Sequence, residues 1–228
     1  MANRCCLNSI QLYLSFLSVL APASYPQTRI WLDEHTRLNS DKPLVAIYNM
    51  PFLYRLAPHH ILSIQQLRHT LHLLLIKHLS LRTALVFDSH NNQLIQRIMH
   101  VNGDHHNRHF SFLQTTFQTE EQLTHIMHNE KRNPHLFDLA EGLVFRCHIV
   151  HYQRISATDS ITDKDVIIFN FHHALFDYPS LDIFLTDLNQ AYTTGQLASD
   201  DEKNLRYLDC NYQQFSFHNS YSLCSPCL

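Results

Sequence analysis

The chain has 228 residues and a mass of 26.8 kDa, which is enough for one sizeable hydrophobic core. Its 17 Lys and Arg residues and 20 Asp and Glu residues give a formal net charge of −3, which argues against a nucleic-acid binder because such proteins present a basic surface. The three glycines, Gly103, Gly142 and Gly195, lie too far apart for a GxxxxGK loop, a GxGxxG turn or a GxSxG elbow. Nucleotide binding through such loops and nucleophile-elbow hydrolysis are therefore excluded.

The N-terminal segment 1–22 is predicted to be an apolar leader outside the folded domain. Residues 5–20 follow Arg4 and end in Ala21-Pro22-Ala23, which is the outline of a signal peptide with a small-residue cleavage site. Polar residues interrupt this stretch, and it is too short and too polar to span a bilayer. We expect a cytoplasmic protein without a membrane span, with secretion after cleavage of the leader as the alternative.

Hydrophobic periodicity predicts an ordered series of strands and helices within residues 23–200. In chain order these are a strand over 44–57, a helix from Ser63 to about His78, strands over 81–88 and 93–99, a helix from Thr119 to about Arg132, strands over 143–151 and 164–171, and a helix from Pro179 to the stop at Gly195. Capping-box patterns open the first two helices. The continuous apolar run 164–171 is typical of a central strand covered on both faces. Residues 201–228 have no clear period and are predicted to form an irregular tail.

No metal site is predicted. Cys224 and Cys227 have zinc-like spacing, but no second pair accompanies them. The polar loop 102–109 is rich in histidine, but no predicted strand or helix fixes its side chains, so we interpret any metal binding there as adventitious.

Two adjacent histidines, His172 and His173, end the apolar strand, and Asp177 follows four residues after the second. Because side chains alternate along a strand, His173 continues the face of Phe169 and Phe171, and His172 points the other way. We expect His173 to be partly desolvated, which favours the neutral imidazole that a general base needs. From residue types alone, a pair of buried, hydrogen-bonded structural histidines is the alternative.

The segment from His172 to Asp177 resembles the HHxxxDG signature of the condensation domains of nonribosomal peptide synthetases, which belong to the chloramphenicol acetyltransferase-like superfamily. Other segments resemble motifs of that family in the same order: 24–32 its S-x-x-Q-x-R-L-W opening, 77–85 its RHExLRTxF motif, 137–146 its FDLxxGPLLR segment, and 205–209 the piece that follows the last helix of the first lobe. The resemblance implies a mixed, two-layer α/β fold of the chloramphenicol acetyltransferase-like type. It covers only the N-terminal lobe of the usual two-lobed domain.

The resemblance also implies a reaction, in which an amine attacks a carrier-bound acyl thioester and forms an amide. In that reaction His173 deprotonates the amine or stabilises the tetrahedral intermediate. His172 has a supporting role, and Asp177 forms an ion pair with Arg82 that holds the histidine loop in shape. No cofactor is bound directly, because the substrates arrive on the phosphopantetheine of carrier domains acting in trans.

Two departures from the family pattern leave alternatives open. Tyr178 stands where the signature has glycine, and we expect its ring to crowd the substrate channel along which the pantetheine arm passes. The second lobe, which supplies the opposite wall of that channel, is outside the resemblance. The chain is therefore also interpreted as an inactive remnant or carrier-binding module, or as a small acyltransferase completed by a second lobe or by homo-oligomerisation.

Overall fold

The computed structural model describes residues 20–38, 45–100, 110–153, 155 and 159–197. Several predicted features lie outside the described residues. These are residues 1–19 of the predicted leader 1–22, the loop 102–109, the motif-like piece 205–209, the tail 201–228 and both C-terminal cysteines. The elements in chain order are β1 (Leu20–Pro22), α1 (Tyr25–Leu38), β2 (Asn49–Tyr54), β3 (Leu62–Ser63), α2 (Ile64–Lys77), a 3₁₀ turn (Leu79–Arg82), β4 (Thr83–Asp88), β5 (Gln93–Ile98), β6 (Ser111–Phe117), α3 (Glu120–Arg132), β7 (Phe145–Tyr152), β8 (Ser160–Ile161), β9 (Val166–His172) and α4 (Tyr178–Thr194).

The predicted helix boundaries are confirmed by their caps. The Ser63 hydroxyl accepts the Gln66 amide N–H at 3.2 Å to open α2, and the Thr119 hydroxyl accepts the Gln122 amide N–H at 3.3 Å to open α3. The last helix, α4, stops at its C-cap Gly195, whose φ of 72° is left-handed. These local signals depend on a few adjacent residues, which explains why the sequence is sufficient to find them.

Helix α1, strand β6 and the short strands β1, β3 and β8 are absent from the sequence-based prediction. Helix α1 has Pro26 in its first turn, where a missing N–H costs nothing. Strand β6 lies at one edge of its sheet, and most of its residues are half-buried, so it shows no sharp alternation. The predicted strand 44–57 is shorter in the structure and corresponds to β2.

The main sheet has the order β2-β9-β7-β6, in which β9 is antiparallel to both neighbours and β6 is parallel to β7. A second sheet has the order β1-β5-β4, and β3 pairs with β8. Every residue of β9 is buried, as predicted for a central strand. Helices α2 and α4 cover one face of the main sheet, and α3 packs on the other. The mixed α/β fold is confirmed, and helices pack on both faces of this sheet.

An aromatic cluster joins the end of β9 to helix α4. The rings of Phe171 and Phe176 stack with centroids 3.7 Å apart, and Phe145 stacks on Phe171 at 4.9 Å. Phe184 of α4 meets Phe171 edge-on at 5.1 Å. Because aromatic rings bury large areas, this cluster anchors the segment that follows β9.

A buried carboxylate ties α3 to the main sheet. Glu130 is fully buried, and its oxygens accept hydrogen bonds from Arg146 Nε at 3.0 Å and Asn170 Nδ2 at 2.9 Å. Burial alone raises the pKa of Glu130, but hydrogen bonds from His148 and Asn170 and the charge of Arg146 outweigh it and hold the pKa below its usual range. Glu130 is therefore ionised and fully partnered, which a buried charge requires.

We expect folding stability to fall below about pH 6.5 because of His151. Its ring is buried, with Nε2 donating to Gln114 Oε1 at 2.9 Å, and burial lowers its pKa, although the charge of Asp165 raises it in part. The unfolded chain binds this proton near the ordinary value of 6.5 and the folded chain only at lower pH. The contribution of neutral His151 is thus complete above that value and is lost as pH falls below it.

Urea unfolding at about pH 7.5 and about pH 5.5 measures this loss. In His151→Gln, which cannot titrate, the difference in unfolding free energy between the two pH values should shrink. A variant with the same pH dependence as the parent chain would contradict the assignment.

Within the described ranges, no helix is long and apolar enough to cross a membrane.

Candidate functional site

The two histidines lie where the central strand ends and a tight turn begins. Strand β9 stops at His172, whose backbone N–H donates to Val144 O at 2.9 Å. The His173 N–H donates to Tyr48 O at 2.9 Å, and the Leu175 N–H returns to His172 O at 3.0 Å. The backbone of this segment is therefore fixed from both neighbouring strands and from within the turn.

One ring nitrogen of His173 has no hydrogen-bond partner among the described residues. Its Nδ1 donates to the backbone carbonyl oxygen of Phe176 at 3.0 Å, so in the neutral ring Nε2 carries no proton. The side chain is exposed rather than partly desolvated as predicted, because the strand ends one residue earlier and the turn lifts His173 away from the core. A ring held by one nitrogen with the other free is the arrangement that a general base needs.

His172 is in the opposite state, with both ring nitrogens occupied. Its side chain is 1% exposed, its Nδ1 accepts the Ala174 N–H at 3.2 Å, and its Nε2 donates to Glu34 Oε2 at 3.1 Å. The ring of Phe137 meets it edge-on at 5.7 Å. His172 therefore braces the turn and cannot offer a base to a substrate in this arrangement.

Glu34 is a site residue that sequence reasoning missed. It lies on α1, which was not predicted, and reaches His172 across 138 positions of chain. The only local signal is its place one helical turn after Trp31, which becomes informative once residues 25–38 are known to be helical.

The structure corrects the predicted ion pair between Asp177 and Arg82, which is not formed. Asp177 is the N-cap of α4, where its Oδ1 accepts from the Ser180 N–H at 3.0 Å and from the Ser180 hydroxyl. Arg82 Nε donates to Leu75 O at 2.8 Å, and its Nη1 donates to Met99 O. Burial lowers the pKa of Arg82. Asp177 is held by Ser180, and Arg82 is held by two backbone carbonyl oxygens, so neither side chain is directed at the other.

Because Asp177 acts as a cap, we expect Asp177→Ala to cost about 1 kcal/mol of unfolding free energy. Asp177→Ser, which keeps a capping oxygen, should recover most of this loss. Urea unfolding of the three proteins measures both differences. A cost of about 3–5 kcal/mol with no recovery by serine would instead indicate a buried ion pair.

His173 opens into a cavity of about 440 Å³, a size suited to a small-molecule substrate. Its lining comes from α1, from the turn after α2 with the adjoining strands, and from the histidine turn: Pro26, Gln27, Arg29, Ile30, Leu79, Ser80, Thr83, Gln96, His173, Ala174, Leu175, Phe176, Asp177 and Ser180. Segments 24–32, 77–85 and 172–177, which are far apart in sequence, therefore meet around one space.

Tyr178 does not line the cavity of His173 in the structure. Its side chain is 70% exposed, and its ring meets Phe52 edge-on at 5.7 Å. It borders a separate depression between β2 and α3 that includes Thr124 and Lys131. The replacement of the expected glycine therefore adds no side chain to the lining of this cavity.

Segment 137–146 forms a tight turn against β4. Gly142 has a φ of +71°, and a Cβ there would lie 2.9 Å from Met99 Cγ, so both the backbone conformation and the space require glycine. The Leu85 N–H donates to Leu139 O at 2.7 Å. This contact links the segment to the strand that follows Arg82.

No group of three or more histidine, cysteine or acidic side chains is placed to hold a metal ion in the part of the chain that the structure describes. Cys147 is a free, fully buried thiol, and burial raises its pKa well above the ordinary value. It therefore remains a neutral thiol.

Comparison with known proteins gives two sequence matches. The family model for the condensation domain matches residues 19–222. The hybrid PKS-NRPS synthetase apdA of Emericella nidulans is 26% identical over 194 residues, which cover 85% of this chain and 4% of that protein. The chain thus spans a small part of the curated relative that it matches.

Several solved structures share the fold. The condensation domain of the monacolin K polyketide synthase MokA superposes with a TM-score of 0.60 at 14% identity, over 89% of this chain and 40% of that one. The epimerization domain from the third module of tyrocidine synthetase B gives 0.61 at 12%, over 92% and 47%. The X-domain from teicoplanin biosynthesis gives 0.62 at 19%, over 90% and 40%. The chain spans less than half of each, which agrees with the predicted single lobe.

Proposed function

This chain belongs to the condensation-domain family, and from that premise we propose that it transfers an acyl group from a carrier-bound thioester to an amine and forms an amide. The observation that supports the proposal is the unprotonated Nε2 of His173 at a cavity of about 440 Å³. The fold alone is insufficient support, because the structural neighbours include an epimerization domain and an X-domain as well as condensation domains.

In the proposed reaction, the acceptor amine attacks the thioester carbonyl carbon within the cavity. The new C–N bond forms as the amine proton passes to His173 Nε2, and the C–S bond then breaks. The protonated imidazole returns the proton to the departing thiolate, so the products are an amide and a thiol. The Phe176 carbonyl oxygen stabilises the imidazolium through its hydrogen bond to Nδ1.

Residues around His173 have supporting roles in this proposal. Arg29 lines the same cavity and places a positively charged side chain there. His172 and Glu34 hold the start of the turn, and the Asp177 cap holds its end. The reacting histidine is thus placed by a rigid element on either side.

We further propose that the substrates arrive on phosphopantetheine arms of carrier domains in trans, and that the reaction takes place in the cytoplasm. A free buried thiol at Cys147 agrees with a reducing compartment. The chain spans 40–47% of the solved relatives, and we propose that a second lobe or a second copy supplies the other wall of the channel.

The test combines the full chain with an acyl-loaded carrier protein and an amine acceptor, and mass spectrometry measures the amide. We expect amide in excess of the uncatalysed background. A carrier that lacks the acyl group, with the same amine, is the matched control. If only hydrolysed acid accumulates, the proposal fails.

Light scattering with and without the carrier protein tests the proposed partners. We expect either a carrier complex or an oligomer of this chain, because an open channel requires a second wall. If the chain is monomeric at high concentration and does not bind the carrier protein, both partner proposals are contradicted.

A further inference from the structure

Three side chains on the α3 face of the main sheet form a hydrogen-bonded series away from the His173 cavity. Thr115 Oγ1 lies 2.7 Å from His148 Nε2, and His148 Nδ1 lies 2.7 Å from Glu130 Oε1. None of the three lines the cavity of His173. Their order is hydroxyl, imidazole, carboxylate, which is the order of a nucleophile, its base and the group that orients the base.

The direction of each hydrogen bond follows from Glu130. An ionised carboxylate can only accept, so His148 Nδ1 carries the proton that is donated to Glu130. In the neutral ring Nε2 is then an acceptor, and the Thr115 hydroxyl must be the donor to it. The hydroxyl proton therefore already points at a base, as attack on an electrophile requires.

The carboxylate is held independently of the imidazole. Glu130 also accepts from Arg146 Nε at 3.0 Å and from Asn170 Nδ2 at 2.9 Å. Glu130 is fully buried, and His148 is 4% exposed. In such a site, water cannot screen the attraction between Glu130 and a protonated His148, so the imidazolium formed during attack is stabilised.

The residue that carries the hydroxyl is partly exposed. Thr115 is half-buried on β6, and β6 is the edge strand of the described sheet. Alternation along the strand places Leu113 and Phe117 on the same face as Thr115. These apolar neighbours favour a small apolar substituent on the electrophile over a charged one.

We propose that Thr115, His148 and Glu130 form a second reactive site, in which Thr115 is a nucleophile toward small activated acyl groups. In the step, the Thr115 Oγ bonds to the carbonyl carbon of an activated ester or thioester and its proton passes to His148 Nε2. The leaving alkoxide or thiolate departs with that proton, and an acyl-threonine ester remains. Water then hydrolyses the ester, with His148 as the base.

The test uses a small alkyl fluorophosphonate, which gives a stable adduct with an activated hydroxyl. The Thr115 Oγ–P bond forms, the P–F bond breaks, and fluoride leaves while His148 takes the proton. Peptide mass spectrometry of the full chain should place the adduct at Thr115. Thr115→Ser should keep the adduct, and Thr115→Val, which has the same shape without the hydroxyl, should lose it.

The role of the base is measured separately. His148→Gln should lower the labelling rate about 100-fold or more, as removal of a general base does, and circular dichroism establishes whether the variant is folded. His173→Ala should label like the parent chain, so this result is independent of the proposed amide formation. No adduct in the folded parent chain, or an equal adduct in Thr115→Val, would overturn the proposal.

Discussion

His173→Ala is expected to lower the rate of amide formation about 10²–10⁴-fold, the usual contribution of a positioned general base. The side chain is exposed at the turn and packs little against the core, so the unfolding free energy should change by less than about 1 kcal/mol. The assay with acyl-loaded carrier protein measures the rate, and urea unfolding measures the stability.

His90→Ala is the matched control for this variant. His90 is also exposed, in the β4–β5 turn, where its backbone N–H donates to Asp88 Oδ1 at 2.9 Å. It should leave the rate of amide formation unchanged. An unchanged rate in His173→Ala as well would remove His173 from the chemistry.

Phe171→Ala is expected to lower the unfolding free energy by about 3–5 kcal/mol, the range for a truncated buried aromatic ring. Phe171 is fully buried and stacks on both Phe176 and Phe145, so its removal leaves a cavity that rigid neighbours fill poorly. The same ring supports Phe176, whose carbonyl oxygen holds His173. Amide formation should therefore also fall in conditions where the variant is still folded.

The control for Phe171 is Phe87→Ala at the surface. Phe87 is 43% exposed, although it stacks on Trp31 at 5.4 Å. We expect a cost of about 1 kcal/mol for this variant, because part of its area is already in water. Equal costs for the two variants, measured by urea unfolding, would contradict the proposed role of the aromatic cluster.

The sequence was informative wherever a structural decision is local. The caps at Ser63 and Thr119 and the left-handed stop at Gly195 each depend on neighbouring residues, and all three are confirmed. The apolar run of β9 identified the central strand, because a strand covered on both faces has no polar side.

The remaining features depend on contacts between segments that are distant in sequence, and hydrophobic periodicity does not predict such contacts. Glu34 meets His172 only because α1 folds back across the end of β9. The family resemblance implied an ion pair between Asp177 and Arg82. In this chain Asp177 accepts from Ser180 instead, and Arg82 donates to the backbone carbonyl oxygens of Leu75 and Met99. The motif thus indicated a candidate site, whereas the partners of each side chain required the structure.

The adjacent histidines illustrate how one motif separates two tasks. His172 continues the buried strand and uses both nitrogens for support, and His173 is lifted into the turn and keeps one nitrogen free. A neutral histidine ring has two tautomers. The hydrogen bond at one ring nitrogen therefore decides whether the other nitrogen carries a proton or can accept one. We therefore predict opposite neutral tautomers at His172 and His173.

The most direct measurement is a long-range ¹H–¹⁵N correlation spectrum of the histidine rings at about pH 8. Spectra of His172→Gln and His173→Gln identify the two rings among the 19 histidines. We predict the proton on Nδ1 with a bare Nε2 for His173, and the proton on Nε2 for His172. A His173 ring with its proton on Nε2 would contradict its assignment as the base that faces the substrate.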